Sequence, residues 1–344
     1  MNRRNALKTM TVLSASVPGI SAVMAAPAAP AAGNAPDADN FYRSASVVTE
    51  TVRFKDIYGF ERAGSLCLPK TLDRSAKNAA IAISHPHGAV RQQAALLYAQ
   101  KLAETGFVTL AFDHYGWGES GGNPRGQICP DLYVEGYSAA VDYLGTLPYV
   151  GRERIGVLGI CASGAFALAA AKMDARIRSV ATVSMYDMGE YFRTGVRGDR
   201  PESRLREDLK RIGEFRWKQV DSGAPAYGPG QNDPGFVESV ESNAYYRTPR
   251  GEYAPNDRRM TPASYVKFLS FFPFENIDLI SPRPILMVVG DAAPSRHYTD
   301  QAFAAAAEPK ERFVVEGANR TDLYDRVNMI PFAKLGDFFT KSLA

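Results

Sequence analysis

Short apolar runs recur along the chain: AAIAISHP from Ala79, VTLAFDHY from Val108, RIGVLGIC from Arg154, SVATVSMY from Ser179, PILMVVGD from Pro284 and RFVVEGA from Arg312. Runs of this length without polar alternation predict parallel strands buried on both faces. Between several of them lie stretches with helical periodicity: QQAALLYAQKLAETG, stopped at Gly106, DLYVEGYSAAVDYLGTLP, and SGAFALAAAKMD. Earlier, SVVTETVRF and RAGSLCLP predict two antiparallel strands around a loop containing Gly59. Strand and helix alternating in this way predict an α/β fold, a doubly wound and mostly parallel sheet of eight strands. Ligands of such sheets bind beyond the carboxyl ends of the strands.

The alternation breaks between Asp187 and Asn276, in a stretch rich in charge, aromatics, Gly and Pro with one amphipathic helix expected over 202–219. So long a loop without structure of its own is unusual in a compact domain, so a cap over 188–276 is expected within a main domain of 41–344. Its aromatics Tyr191, Phe192, Phe215, Trp217, Tyr245 and Tyr246 suit either a pocket lining or the cap's own core.

Charge narrows the function classes. The formal net charge of +3 comes from Arg3, Arg4 and Lys8, beyond which Lys and Arg balance Asp and Glu. Such a chain has no global field to gather nucleic acid. Its opening, MNRRNALKTMTVLSASVPGISAVMAAPAAPAAG, pairs Arg3 and Arg4 before an apolar stretch broken by Pro18 and Gly19. NRRNALK resembles a twin-arginine export motif, so residues 1–32 are expected to be a signal peptide with an Ala/Pro linker, read by the twin-arginine machinery. The expected location is periplasmic or secreted, with no stable membrane span, because the apolar stretch falls short of the roughly 20 residues a span requires. Three cysteines, Cys67, Cys129 and Cys161, leave at least one thiol unpaired. Neither CxxC nor HExxH occurs, so no metal and no cofactor is expected.

Cys161 stands in GICASG, where the strand RIGVLGI meets the helix AFALAAAKMD. This is the context of a nucleophile elbow, in which small residues two positions either side let strand and helix approach closely. Gly159 and Ser163 meet that need for Cys161. Ser163 is the rival nucleophile, and the position of Gly159 directly after the strand favours Cys161. Helix-start amides would stabilise a thiolate there, and the Ala162 N–H would face a developing oxyanion. A second oxyanion donor is expected from His87 or Gly88 in HPHGA, although Pro and Gly also mark simple turns. Asp113 and Glu119 in the following glycine-bearing loop are expected to brace loops, and Trp117 there to bind substrate.

From about Val47 to Leu343 the chain resembles the α/β-hydrolase superfamily, in particular the branch of dienelactone hydrolases and of bacterial and fungal acyl hydrolases and polyketide transferases. The matching stretches are HPHGAVRQQAALLYAQKLAETGFVTLAFD, GWGESGGNPRGQ, AAVDYLGTLPYV, RIGVLGICASG, SMYDMG, SPRPILMVVGD and EGANRTDLYDR. The resemblance implies an α/β-hydrolase fold and an acid and a histidine following the nucleophile in chain order. The acid is expected at Asp291, with Asp187 as a second candidate; either residue type also caps helices. Where relatives of this type place their histidine, in a segment like EGASHVDLYD, this chain has Arg320, which cannot accept a proton. Arg320 is then expected to bind substrate, to supply positive charge to the thiol, or to pair with Asp291. The histidines are His85, His87, His114 and His297. His297, after Asp291, and His87 are the candidates for a relocated base, and a packing role competes for each. The expected function is hydrolysis or transfer of a small-molecule acyl ester or thioester. The alternative is a disarmed binding or scaffold protein on the same fold.

Overall fold

In the computed structural model, residues 39–233 and 239–344 are described, and the expected signal segment 1–32 lies outside them. Strands β1 (Val47–Lys55) and β2 (Glu61–Pro69) form the expected antiparallel hairpin, with Val47 opposite Pro69 and Lys55 opposite Glu61. Six further strands follow, β3 (Asn78–Ser84), β4 (Val108–Phe112), β5 (Val150–Ile160), β6 (Val180–Val183), β7 (Ile285–Gly290) and β8 (Lys310–Val315). They join the hairpin in one eight-stranded sheet of order β1-β2-β4-β3-β5-β6-β7-β8. β2 pairs with β4 antiparallel, and every pairing from β4 to β8 is parallel.

The continuous apolar runs find their reason here. Ala80 to Ile83 of β3 and Leu286 to Val289 of β7 are fully buried because helices cover both faces. Each large aliphatic side chain so enclosed contributes about 2 kcal/mol. The flanking helices are α1 (Ala94–Ala103), α2 (Pro130–Thr146) and α3 (Ala162–Met173). Between β6 and β7 come α4 (Met188–Thr194), α5 (Glu202–Ser222) and α6 (Val240–Tyr246), and after β7 come α7 (Arg296–Ala305), α8 (Asp322–Asp325) and α9 (Phe332–Ser342). No described helix is long and apolar enough to cross a membrane. The alanines of α3 let it lie close to the sheet: a Cβ on Gly164 would meet Thr182 of β6 at 3.2 Å.

The stretch between β6 and β7 reaches loops at the carboxyl ends of several strands. It touches Gly88 after β3 through Asn256 and Arg258, and Arg320 after β8 through Glu241. Arg250 makes a two-pronged ion pair with the fully buried Asp325 of α8. Trp217, grouped above with the cap aromatics, is 72% exposed on the outer face of α5. Asp113 braces as expected, accepting from the Arg91 and Glu119 amides and pairing with the Arg91 guanidinium.

Candidate active site

The turn from β5 into α3 is made by one residue. Cys161 has φ 58° and ψ −124°, a conformation costly to any residue with a Cβ, of order 1–3 kcal/mol. The neighbouring backbone holds it there. Its amide donates to Val183 of β6 at 2.9 Å, and its carbonyl accepts from Gly164 at 2.9 Å and from Tyr186 at 3.1 Å. Gly159 is required because a Cβ there would lie 2.0 Å from the Ser163 carbonyl oxygen. Ser163 lies beneath the turn, fully buried, donating to the His85 carbonyl at 2.5 Å and 2.7 Å from His114 Nε2. Cys161 therefore occupies the tip, and Ser163 does not.

Cys161 is 4% exposed, and its sulfur meets a charged group rather than a base. Arg320 Nη1 approaches Cys161 Sγ at 3.7 Å and donates to the Tyr324 hydroxyl at 3.2 Å. Its Nε pairs with the Glu241 carboxylate of α6, and Nη2 donates to Ser242 Oγ at 2.6 Å. The guanidinium also lies over the Tyr186 ring, 5.4 Å from its centroid. Burial works against the charge of Arg320, but Tyr324, Cys161 and Glu241 outweigh it and hold the group well above the ordinary arginine value. Burial likewise pushes the Tyr324 phenol well above its usual range, partly offset by Arg320, so the hydroxyl stays neutral.

Asp291 and His297 do not join this group. Asp291 is exposed at the end of β7, where its carboxylate accepts from the Gly317 amide at 2.8 Å. The carboxylate partner of Arg320 is thus Glu241, not Asp291, because the turn after β8 folds its own amide onto Asp291. His297 lies in α7 with Nδ1 3.1 Å from the Pro294 carbonyl, its ring against Tyr298 and Nε2 3.9 Å from Glu190 of α4. Among the described residues, neither hydrogen-bonds to Cys161 or to the other. The second acid candidate, Asp187, caps α4 by accepting from Gly189 at 2.7 Å and Glu190 at 3.1 Å, and burial pushes its carboxyl up to about 6.

On the other side of the turn, Ala162 begins α3, so its N–H has no partner within the helix. Gly88 has φ +74°, and its carbonyl accepts from Asn256 Nδ2 at 2.9 Å and Arg258 Nε at 3.3 Å. The His87 ring packs edge-on against Trp117, Tyr265 and Phe268. Burial, then Arg258 and His85, lower its pKa to about 3, so the ring stays neutral. Its Nε2 is shielded and, among the described residues, without a hydrogen-bond partner. Trp117, expected to bind substrate, stands buried in the wall behind His87, its indole N–H donated to Tyr133 at 3.0 Å. Arg320, expected at a ligand, directs four of its five N–H groups at protein atoms.

Sequence reasoning missed Glu241, Ser242, Tyr324, Asn256 and Arg258. Only Tyr324 had a local signal, standing four residues after Arg320 at helical spacing. A hollow of about 790 Å³ lined by Cys129, Trp217 and Lys267 includes neither Cys161 nor Arg320. The sulfur lies instead beneath Arg320, which α6 holds in place.

The profile of the alpha/beta hydrolase family matches residues 84–323. The uncharacterized protein PA2218 of Pseudomonas aeruginosa is 43% identical over 310 residues, 88% of this chain and 83% of its own. Its crystal structure superposes with a TM-score of 0.84 at 42% identity, covering 88% of this chain and 97% of that one. YcjY of Escherichia coli K12, also uncharacterized, is 34% identical over 80% of this chain and 92% of its own. Thiohydrolase aneE of Aspergillus aculeatus is 30% identical over 79% of this chain and 86% of its own.

Proposed function

The chain belongs to the alpha/beta hydrolase family, and from that premise we propose that it cleaves or transfers the acyl group of an ester or thioester through Cys161. The observation that carries this reading is the strained Cys161 turn, with a guanidinium at 3.7 Å on one side and the start of α3 on the other. The similarity to a protein named thiohydrolase supports the acyl chemistry. In the proposed reaction the Cys161 thiolate attacks the acyl carbon and a C–S bond forms. The carbonyl electron pair moves onto oxygen, facing the Ala162 amide and an amide of the His87–Gly88 loop. Collapse expels the alkoxide or thiolate leaving group, which takes a proton from solvent; water or an acceptor then adds to the acyl carbon and gives up its proton to solvent, and the C–S bond breaks to return the Cys161 thiolate. Arg320 has no proton-accepting site; it balances negative charge on sulfur.

The competing thiols make the test selective. Burial raises the Cys67 thiol to about 11 and also raises Cys129, so neither competes well for an electrophile at neutral pH. Incubation with a short acyl thioester should place one acyl group on Cys161, read by mass spectrometry of proteolytic fragments, and Cys161→Ala should abolish turnover. Absence of both turnover and adduct, with no faster iodoacetamide labelling of Cys161 than of Cys67 and Cys129, would sink the reading.

One observation favours a second reading, a disarmed binding protein: no histidine hydrogen-bonds to the sulfur among the described residues, and Arg320, which cannot accept a proton, stands there instead. A large gain of esterase activity in Arg320→His over an inactive parent would support it. High activity of the parent would exclude it.

A further inference from the structure

The loop expected to supply the second oxyanion donor is held by residues of the stretch between β6 and β7. Within the loop itself, the Ala89 amide closes a turn onto the Pro86 carbonyl at 3.0 Å. The Gly88 carbonyl is held from outside by Asn256 Nδ2 at 2.9 Å and Arg258 Nε at 3.3 Å. Arg258 is 5% exposed and stacks over the Tyr246 ring of α6 at 3.7 Å. Asn256 Oδ1 accepts from the Arg258 amide at 3.3 Å, joining the two residues in one turn. Arg258 takes a left-handed conformation, φ +55°, which is costly outside glycine. A Cβ on Gly88 would come within 2.8 Å of Met260 Cε, so loop and turn are in close contact. Fixing the Gly88 carbonyl fixes the Gly88–Ala89 peptide plane and so restricts ψ of a glycine whose lack of a Cβ would otherwise leave it free, which narrows the directions open to the N–H on the preceding plane.

We propose that Arg258 and Asn256 are positioning residues for the oxyanion site, so that the site is complete only when the segment bearing them is seated on the Gly88 loop. This rests on the acyl chemistry proposed above. Arg258 acts through the Gly88 carbonyl.

The test contrasts a reaction that forms an oxyanion with one that does not. A trifluoromethyl ketone is trapped by addition of the Cys161 sulfur to its carbonyl: a C–S bond forms, the carbonyl pair becomes an oxyanion, and nothing leaves. Alkylation of Cys161 by iodoacetamide displaces iodide and builds no oxyanion. A misplacement of about 1 Å costs on the order of 10²-fold, so Arg258→Ala should lower kcat and weaken ketone affinity by ~10²-fold. KM and the iodoacetamide rate should change by less than about 3-fold, since ground-state binding and the thiol are untouched. Arg258→Lys should recover part of the loss, and Asn256→Ala should give a smaller loss of the same kind. Asn256→Ala and Arg258→Lys also carry the test if Arg258→Ala does not fold. Unchanged kcat and ketone affinity in folded variants would overturn the proposal while leaving the acyl reading intact. Equal losses in alkylation and catalysis would overturn it in favour of general damage to the elbow. A parent protein that is alkylated at Cys161 but neither turns over nor captures the ketone would remove the acyl reading, and this inference with it.

Discussion

Asp187 is 3% exposed and caps α4, and burial pushes its carboxyl up to about 6 despite two backbone donors and Arg193. An unfolded aspartate titrates near 4. Between about pH 4 and 6 the folded protein therefore holds more protons than the unfolded chain. The sign follows directly: this contribution to stability is full below about 4 and is lost as pH rises through about 6. Asp325 acts in the same sense, raised to about 6 by burial against the pull of Arg250. Asp187→Asn keeps an acceptor oxygen for the Gly189 and Glu190 amides and has no charge to bury. Its stability relative to wild type should rise between pH 4 and 7 by up to about 3 kcal/mol, measured by urea unfolding, with Asp325 contributing equally to both proteins. A pH-independent difference would show that the carboxyl does not titrate where burial places it. In the sequence this residue suited either a catalytic acid or a helix cap. Its two amide partners, two and three residues on, identify the cap.

At the scale of elements, the β5-to-α3 turn was the most legible feature because all its requirements are local. A strand with a glycine one residue before its end, a tip residue and a helix that opens on small residues follow one another without a break, and the spacing alone predicts close approach; Gly159, expected just after the strand, lies within β5. The structure adds the reason, since a Cβ at position 159 would lie 2.0 Å from backbone oxygen. Gly159→Ala should therefore cost about 3 kcal/mol or more, seen as a lowered Tm, because the obstructing atom is main chain and cannot swing aside. A thermal transition unchanged from wild type would mean the turn relaxes without penalty. The hairpin, the six later strands and the first three helices were legible for the same local reason. The loops beyond β7 were not. Chain order suggested that Asp291 and His297 would meet Cys161, but α7 turns His297 toward Glu190 and the turn after β8 occupies Asp291.

Across the whole molecule, the stretch between β6 and β7 is tied to the sheet-end loops by one buried and one partly buried ion pair. Glu241 meets Arg320 and Arg250 meets Asp325. Arg320→Met should lower stability by about 3 kcal/mol, because it leaves the Glu241 carboxylate uncompensated, and adding Glu241→Gln should restore much of the loss. Additive losses in this double-mutant cycle, followed by thermal unfolding, would show that the pair is not coupled. Export is a separate proposal resting on Arg3 and Arg4: a double lysine substitution should retain the protein in the cytoplasm, read by fractionation, and unchanged export would reject the twin-arginine route. What the sequence determined alone was the sheet, the covering helices and the residue at the sharp turn, because period and spacing act between near neighbours. What only the tertiary structure decided was which of its expected roles Arg320 takes. It reaches the sulfur of Cys161, one of the expectations, but the carboxylate that holds it there is Glu241, 79 positions away, and charged side chains that far apart leave no pattern by which one could be assigned to another.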